Sequence, residues 1–124
     1  MYLGEICLFT RDVRRMASFY KQLLQVENHS DAEEHQMVLE SEPMLTILRR
    51  EELPDAAPQR AALAFTVEDM EAAYAHIRRM GAPVVQPPMK QPWGTVNMIL
   101  ADPDGNQVYL RQFAAPKEEK PNDP

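Results

Sequence analysis

Two stretches of this chain repeat one pattern of apolar and polar positions: a short apolar run, an aspartate, then apolar residues at steps of three and four. The first runs from Leu3 to Thr10, then Asp12, then Val13, Met16, Ala17, Tyr20, Leu23 and Leu24. The second runs from Ala61 to Val67, then Asp69, then Met70, Ala73, Tyr74, Ile77 and Met80. Runs rich in β-branched and aromatic residues predict strands, and the three-and-four spacing predicts helices that lay one apolar stripe on a sheet. Each aspartate stands where its carboxylate can accept N–H bonds from the first turn of the helix after it. The two aspartates are 57 residues apart (69 − 12). At that offset Leu8 falls on Phe65, Val13 on Met70, Tyr20 on Ile77 and Leu23 on Met80. A chain of two like modules follows, with its function between them.

The rest of the pattern completes the modules. Glu27 to Glu34 is polar and acidic and predicts a loop or a frayed strand. Gln36 to Glu40 and Met44 to Arg49 predict strands, separated by a turn at Ser41-Glu42-Pro43. In the second half Gly81 ends the helix, Pro83 to Gln86 predicts a short strand, and Pro87-Pro88 with Pro92-Trp93-Gly94 brackets a stiff loop. Thr95 to Ala101 and Gln107 to Phe113 are strands joined by Asp102-Pro103-Asp104-Gly105-Asn106, a run of turn-forming residues that predicts a hairpin. The expected organisation is a single domain over residues 1–115, with modules at about 1–52 and 60–115, a proline-containing linker at 53–59 and a disordered tail at 116–124.

A length of 124 residues suits one core. A net charge of −6 argues against nucleic acid, whose phosphates demand concentrated Lys and Arg. The single cysteine, Cys7, has no internal disulfide partner and lies in an apolar strand, where a thiol behaves as a small hydrophobe. The first residues, Met1-Tyr2-Leu3-Gly4-Glu5, hold neither a basic segment nor a long apolar run, so neither a secretory signal nor a membrane span is expected and a cytoplasmic protein is. Eight methionines are many for this length; they serve as core filler or as lining for a tolerant pocket.

The element order, with Asp12 followed by Phe19-Tyr20 and Leu23-Leu24, Phe65-Thr66-Val67-Glu68-Asp69, Pro92-Trp93-Gly94, and Asp102 to Asn106 leading into Val108-Tyr109-Leu110, resembles the glyoxalase/bleomycin resistance/dioxygenase group, the vicinal oxygen chelate superfamily. The resemblance covers about residues 3 to 114. It implies an α+β fold of paired βαβββ modules whose sheets curve around a ligand cavity, and a homodimer.

In metal-dependent members of that group a divalent ion is held by His, Glu or Gln from the first and last strands of each module. The register set by Asp12 and Asp69 puts the first-strand positions at Glu5 and Ala62; the resemblance, in which many relatives carry Glu in the pattern DPDGN-x-x-Glu-Leu, puts the last-strand position of the second module at Tyr109 and its counterpart in the first at Thr46 or Ile47. Of these Glu5 alone is a good donor, whereas such an ion takes three or more His or carboxylate donors. His29, His35 and His76 lie elsewhere, in a loop region and on the second helix; a site from Glu5, His35 and Glu42 is conceivable. The resemblance therefore points to the metal-free branch, whose members bind and sequester a ligand, and no cofactor is expected, a divalent metal being disfavoured.

Strand alternation groups Glu5, Cys7 and Phe9 on one face, Ala62, Ala64 and Thr66 on another, and Gln107, Tyr109 and Arg111 on a third. The candidate ligand contacts are Glu5, Cys7, Trp93, Met98 and Tyr109; no catalytic residue and no metal ligand is assigned. Trp93, between proline and glycine, suits either a cover over a pocket mouth or a hydrophobic plug. The favoured function is capture of a small, partly apolar molecule. The alternative is a lyase or dioxygenase of the same superfamily with a non-standard metal site or an acid/base pair such as Glu5 with Tyr109. A third is a dimeric interaction module with a filled cavity.

Overall fold

A computed structural model of the chain describes residues 1–53, 59 and 61–114. The elements are β1 (Glu5–Thr10), α1 (Val13–Leu24), β2 (His35–Leu39), β3 (Met44–Arg49), β4 (Leu63–Thr66), α2 (Met70–Met80), β5 (Val84–Lys90), β6 (Val96–Ala101) and β7 (Gln107–Gln112). The linker expected at 53–59 falls almost wholly outside the described residues, and the tail expected at 116–124 falls entirely outside them.

Both helices start as their sequences predict. Asp12 Oδ1 accepts from the Arg15 N–H at 3.1 Å, and Asp69 Oδ1 accepts from the Ala72 N–H at 3.2 Å. Each such cap satisfies a donor that the helix leaves without a partner. Both helices end on a left-handed residue, Gly81 at φ 73° in α2 and Gln25 at φ 55° in α1. Glycine adopts that conformation without a Cβ clash, which marks the end of α2 in the sequence; α1 ends at Leu24, where its apolar stripe stops, without a glycine to cap it.

The strands form two mixed sheets, ordered β1-β3-β2 and β4-β7-β6-β5. In each, the strand before the helix runs parallel to the last strand of its module, and Cys7 pairs with Thr46 as Ala64 pairs with Tyr109. Cys7 and Ala64 are themselves 57 residues apart (64 − 7), so the repeat seen in the sequence extends to the sheet register. The fold is α+β with paired modules. The first module has one strand fewer than the βαβββ expectation, because residues 27–34 stay a loop. Side chains hold that loop where a ladder would have: Lys21 Nζ donates to Ser30 O at 2.6 Å, and Asn28 Nδ2 to Met37 O at 3.0 Å.

A second difference concerns β5, which runs through Pro87 and Pro88 where a loop was expected. The strand is the outermost of its sheet, and its pairing with β6 slips between Gln86 and Met89. Proline lacks an N–H, and an edge strand with a bulge is where a sheet can do without one.

The helices cover one face of the sheets, and a single apolar cluster joins the modules. Met16 and Tyr20 of α1, Ile47 of β3, Ile77 of α2 and Met98 and Leu100 of β6 all belong to it, and all are buried. A buried polar tie within it is the Tyr20 hydroxyl, which donates to Asp102 Oδ2 at 2.6 Å. Asp102, buried at the start of the predicted hairpin, also accepts from the Asp104 and Asn106 N–H groups at Oδ1 and from Asn106 Nδ2 at Oδ2, each at 2.9 Å. Burial drives the Tyr20 phenol far above its ordinary pKa of 10.0, and the Asp102 carboxylate that holds its proton adds to the shift.

Candidate functional site

The sheet faces opposite the helices are open. On the first sheet the open face carries Glu5, Cys7 and Phe9 of β1 beside Met44, Thr46 and Leu48 of β3, as the pairing of Glu5 with Met44, Cys7 with Thr46 and Phe9 with Leu48 requires. The Thr46 hydroxyl links two of the candidates: it lies 3.2 Å from Glu5 Oε2 and 3.1 Å from Cys7 Sγ, and donates to one at a time. Thr46 itself is buried, Cys7 half-buried and Glu5 exposed. Phe9 is 40% exposed, with the Arg50 guanidinium 4.1 Å above its ring.

The second sheet opens in the same way. Ala64 and Thr66 of β4 stand beside Tyr109 and Arg111 of β7, and these beside Ile99 and Asn97 of β6. Arg111 Nε donates to Thr66 Oγ1 at 3.1 Å, and its guanidinium lies 5.0 Å from the Phe113 ring centre. The Tyr109 hydroxyl makes a long 3.4 Å contact to Gln107 Oε1. At the end of this face a recess of about 410 Å³ is lined by Gln59, Ala61, Ala62, Gly105, Gln107 and Tyr109. The Gln59 side chain braces it, its amide accepting from the Gln107 N–H at 2.7 Å and donating to Gln107 O at 3.0 Å.

The five candidate contacts therefore separate. Glu5 and Cys7 share the first open face, and Tyr109 lies on the second. Trp93 stands 70% exposed in the turn between β5 and β6, where Gln91 N bonds Thr95 O. Met98 does not belong with them: it is fully buried in the core beneath the sheet, since residues 96, 98 and 100 of β6 turn toward the helices. Sequence reasoning passed over Thr46 as a contact and Arg111 with Phe113 as a stacked pair. Alternation already put Arg111 on the face of Tyr109, and carrying it one step further would have found Phe113.

The residues do not fit a divalent ion. The positions at which metal-dependent members hold donors carry one carboxylate, Glu5, with a hydroxyl at Thr46, a methyl at Ala62 and a phenol at Tyr109. Among the described residues no three of His, Cys, Asp and Glu converge. The alternative set of Glu5, His35 and Glu42 fails on register. His35 pairs with Leu48, which pairs with Phe9, so it stands four residues along the sheet from Glu5, about 13 Å at the rise of a strand. Glu5 and Tyr109, on different sheets, form no acid/base pair in this chain.

A recess of about 730 Å³ lies away from both open faces, between α1 and the 27–34 loop. Most of its lining side chains are polar and several are bonded to one another, with Lys21 Nζ also reaching Gln36 Oε1 at 3.1 Å. Among the described residues no helix is long and apolar enough to cross a membrane.

Two modules of strand, helix and sheet, each sheet with one open face, define a paired-module α+β class of fold, and comparison with known proteins gives it a family. The chain belongs to the glyoxalase/bleomycin resistance protein/dioxygenase superfamily, whose family model matches residues 2–110. Among solved structures it is similar to a glyoxalase/bleomycin resistance protein/dioxygenase family enzyme from Burkholderia phytofirmans PsJN, with TM-score 0.78 and 18% identity over 90% of this chain and 98% of that one. It is also similar to a glyoxalase-related enzyme from Fulvimarina pelagi, with TM-score 0.75 and 18% identity over 90% of this chain and 87% of that one. A third is TioX from Micromonospora sp. ML1, with TM-score 0.68 and 15% identity over 89% and 97% of the two chains. At such identities the likeness is one of fold. No curated protein matches the chain in sequence.

Proposed function

We propose that this protein is a metal-free capture module that holds a small, partly apolar molecule against the open faces of its sheets, as a sequestering or resistance-type member of its superfamily. The observation that carries the reading is the chemistry at the family's donor positions. Glu5, Thr46, Ala62 and Tyr109 offer a ligand hydrogen bonds and a ring, and offer a metal one carboxylate. Without an ion there is no Lewis acid to stabilise an enediolate or to organise dioxygen, so binding rather than turnover suits these residues.

The reading includes a second copy of the chain. β1 and β4 each end a sheet with one edge free of hydrogen bonds to another strand among the described residues, and Phe9, Val85, Met89 and Phe113 are exposed apolar side chains. Free edges and exposed apolar surface together are what a partner covers. A two-fold homodimer that sets β1 of one protomer against β4 of the other uses both edges of both chains and closes on itself. It would also join Glu5 and Cys7 of one protomer to the face of Tyr109 of its partner, making one site from two half-sites. A cytoplasmic setting is part of the same proposal.

Metal analysis of protein purified without chelator, followed by thermal shifts with Zn²⁺, Ni²⁺, Mn²⁺ and Fe²⁺, tests the reading. Substoichiometric metal and unchanged melting are expected. Stoichiometric metal, or strong stabilisation by one ion, would overturn it in favour of an enzyme.

A further inference from the structure

We infer that the open face of the second sheet takes an oxyanion carried on a flat ring, and that Arg111 is the residue that anchors it. The inference rests on the capture reading above and names the chemical class of what is captured.

Tyr109, Arg111 and Phe113 alternate along one line, with Arg111 between two rings, so a guanidinium is flanked on one face by aromatic surface. Arg111 is fixed at two points. Its Nε is committed to Thr66 Oγ1 at 3.1 Å, and its plane lies by the Phe113 ring at 5.0 Å. What remains is the pair of terminal amino groups, the part of an arginine that binds a carboxylate or phosphate in fork geometry.

Among the described residues no carboxylate pairs with those groups. The chain has 19 acidic against 13 basic residues, and Arg14, Arg15 and Arg49 each pair with a carboxylate, of Glu33, Asp104 and Glu34 respectively. Among the described residues Arg111 has no such partner; its contacts are a hydroxyl and a ring. Its neighbours across the sheet, Thr66 and Asn97, are uncharged, and Ala64 beside Tyr109 is small, which leaves a ligand room over β4 and β7. A ring attached to the anion would lie along the exposed Phe113 ring or over the half-buried ring of Tyr109.

Binding to the full-length protein tests the inference, by calorimetry with four probes that share a ring system: 1-naphthoate, 1-naphthyl phosphate, the neutral 1-naphthamide and the cationic 1-naphthylmethylammonium. One or both anions should bind at least about tenfold more tightly than the amide, as a charge-assisted bidentate contact allows. Arg111→Gln should remove that preference by weakening the anions far more than the amide, and Arg111→Lys, which keeps the charge without the fork, should restore part of it. The tighter of the two anions identifies a carboxylate or a phosphomonoester as the natural group. Equal binding of acid and amide, untouched by Arg111→Gln, would overturn the anion inference and leave the capture reading standing, as would preference for the cation. Saturable binding of none of the four would overturn both. Melting curves of the variants matching the parent establish that a lost preference is not lost folding.

Discussion

The Tyr20 hydroxyl reaches Asp102 Oδ2 across 2.6 Å, so the middle of the first module's helix is tied to the turn that precedes the last strand of the second. The pair is buried, and Asp102 spends its other lone pairs holding the turn together. Removing the hydroxyl takes one bond from a carboxylate that keeps three others. Tyr20→Phe should therefore cost about 1.5 to 3 kcal/mol, the range for a hydrogen bond to a charged group. Asp102→Ala should cost more, since the turn loses its central acceptor as well. Urea titrations of the two variants give the comparison, and a Tyr20→Phe protein as stable as its parent would refute the coupling.

The same pair sets an alkaline limit. Burial and Asp102 raise the Tyr20 phenol well above its ordinary 10.0, so above that pH the unfolded chain gives up a proton that the folded chain retains. The unfolded state then binds fewer protons, and stability falls as pH rises, by up to about 1.4 kcal/mol per pH unit from this one group. The contribution is complete below pH 10.0 and is lost progressively above it. Tyr20→Phe should lose stability less steeply than the parent between roughly pH 10 and 11, which urea midpoints measured at several pH values will show.

Asp12 and Asp69 were recognised as one motif written twice, and their geometry agrees, with cap bonds of 3.1 and 3.2 Å. Asp12→Ala and Asp69→Ala should each destabilise by about 1 kcal/mol, the usual worth of such a cap. Because one apolar cluster spans both modules, either substitution should shift a single unfolding transition rather than split it in two. Two resolved transitions in calorimetry would contradict a shared core.

What the sequence made legible follows from what was periodic in it. Stripes such as Val13, Met16, Tyr20 and Leu23 and the alternation of β1 and β7 have short repeats, so helices, strands and faces could be assigned from neighbours alone. The hairpin at Asp102 was legible as a turn, but its tie to Tyr20 was not, since the two residues are 82 positions apart and Tyr20 reads as one more member of an apolar stripe. Met98 was misplaced because methionine suits a core and a pocket equally, and only the register of β6 against β7 decides which side it takes. The open faces were legible as alternation; that Arg111 is held by Thr66 required the parallel pairing of β4 with β7.

That correction has a measurable consequence. Met98 is fully buried among the core residues, so Met98→Ala should cost about 2 to 5 kcal/mol through lost packing and the cavity left behind. Trp93→Ala, at a 70% exposed turn position, should leave stability within about 0.5 kcal/mol of the parent. Melting and urea curves separate the two, and a silent Met98→Ala would mean that β6 is turned the other way.

The second-copy proposal makes the last prediction, and its logic is steric. Ala64 lies on the exposed β4, at the free edge and on the open face, so a large charged side chain there meets solvent in a lone chain and a partner in a dimer. Ala64→Arg should leave the secondary structure of the chain intact while separating protomers, because burying a guanidinium without a partner costs several kcal/mol. Phe9→Lys, on the facing edge strand β1, should act alike, and the two together should be no worse than either once association is lost. Sedimentation equilibrium reads this directly: the parent at twice the 14.2 kDa chain mass, the variants at one. A parent that sediments at the single-chain mass would mean that the free edges and exposed rings serve the ligand alone.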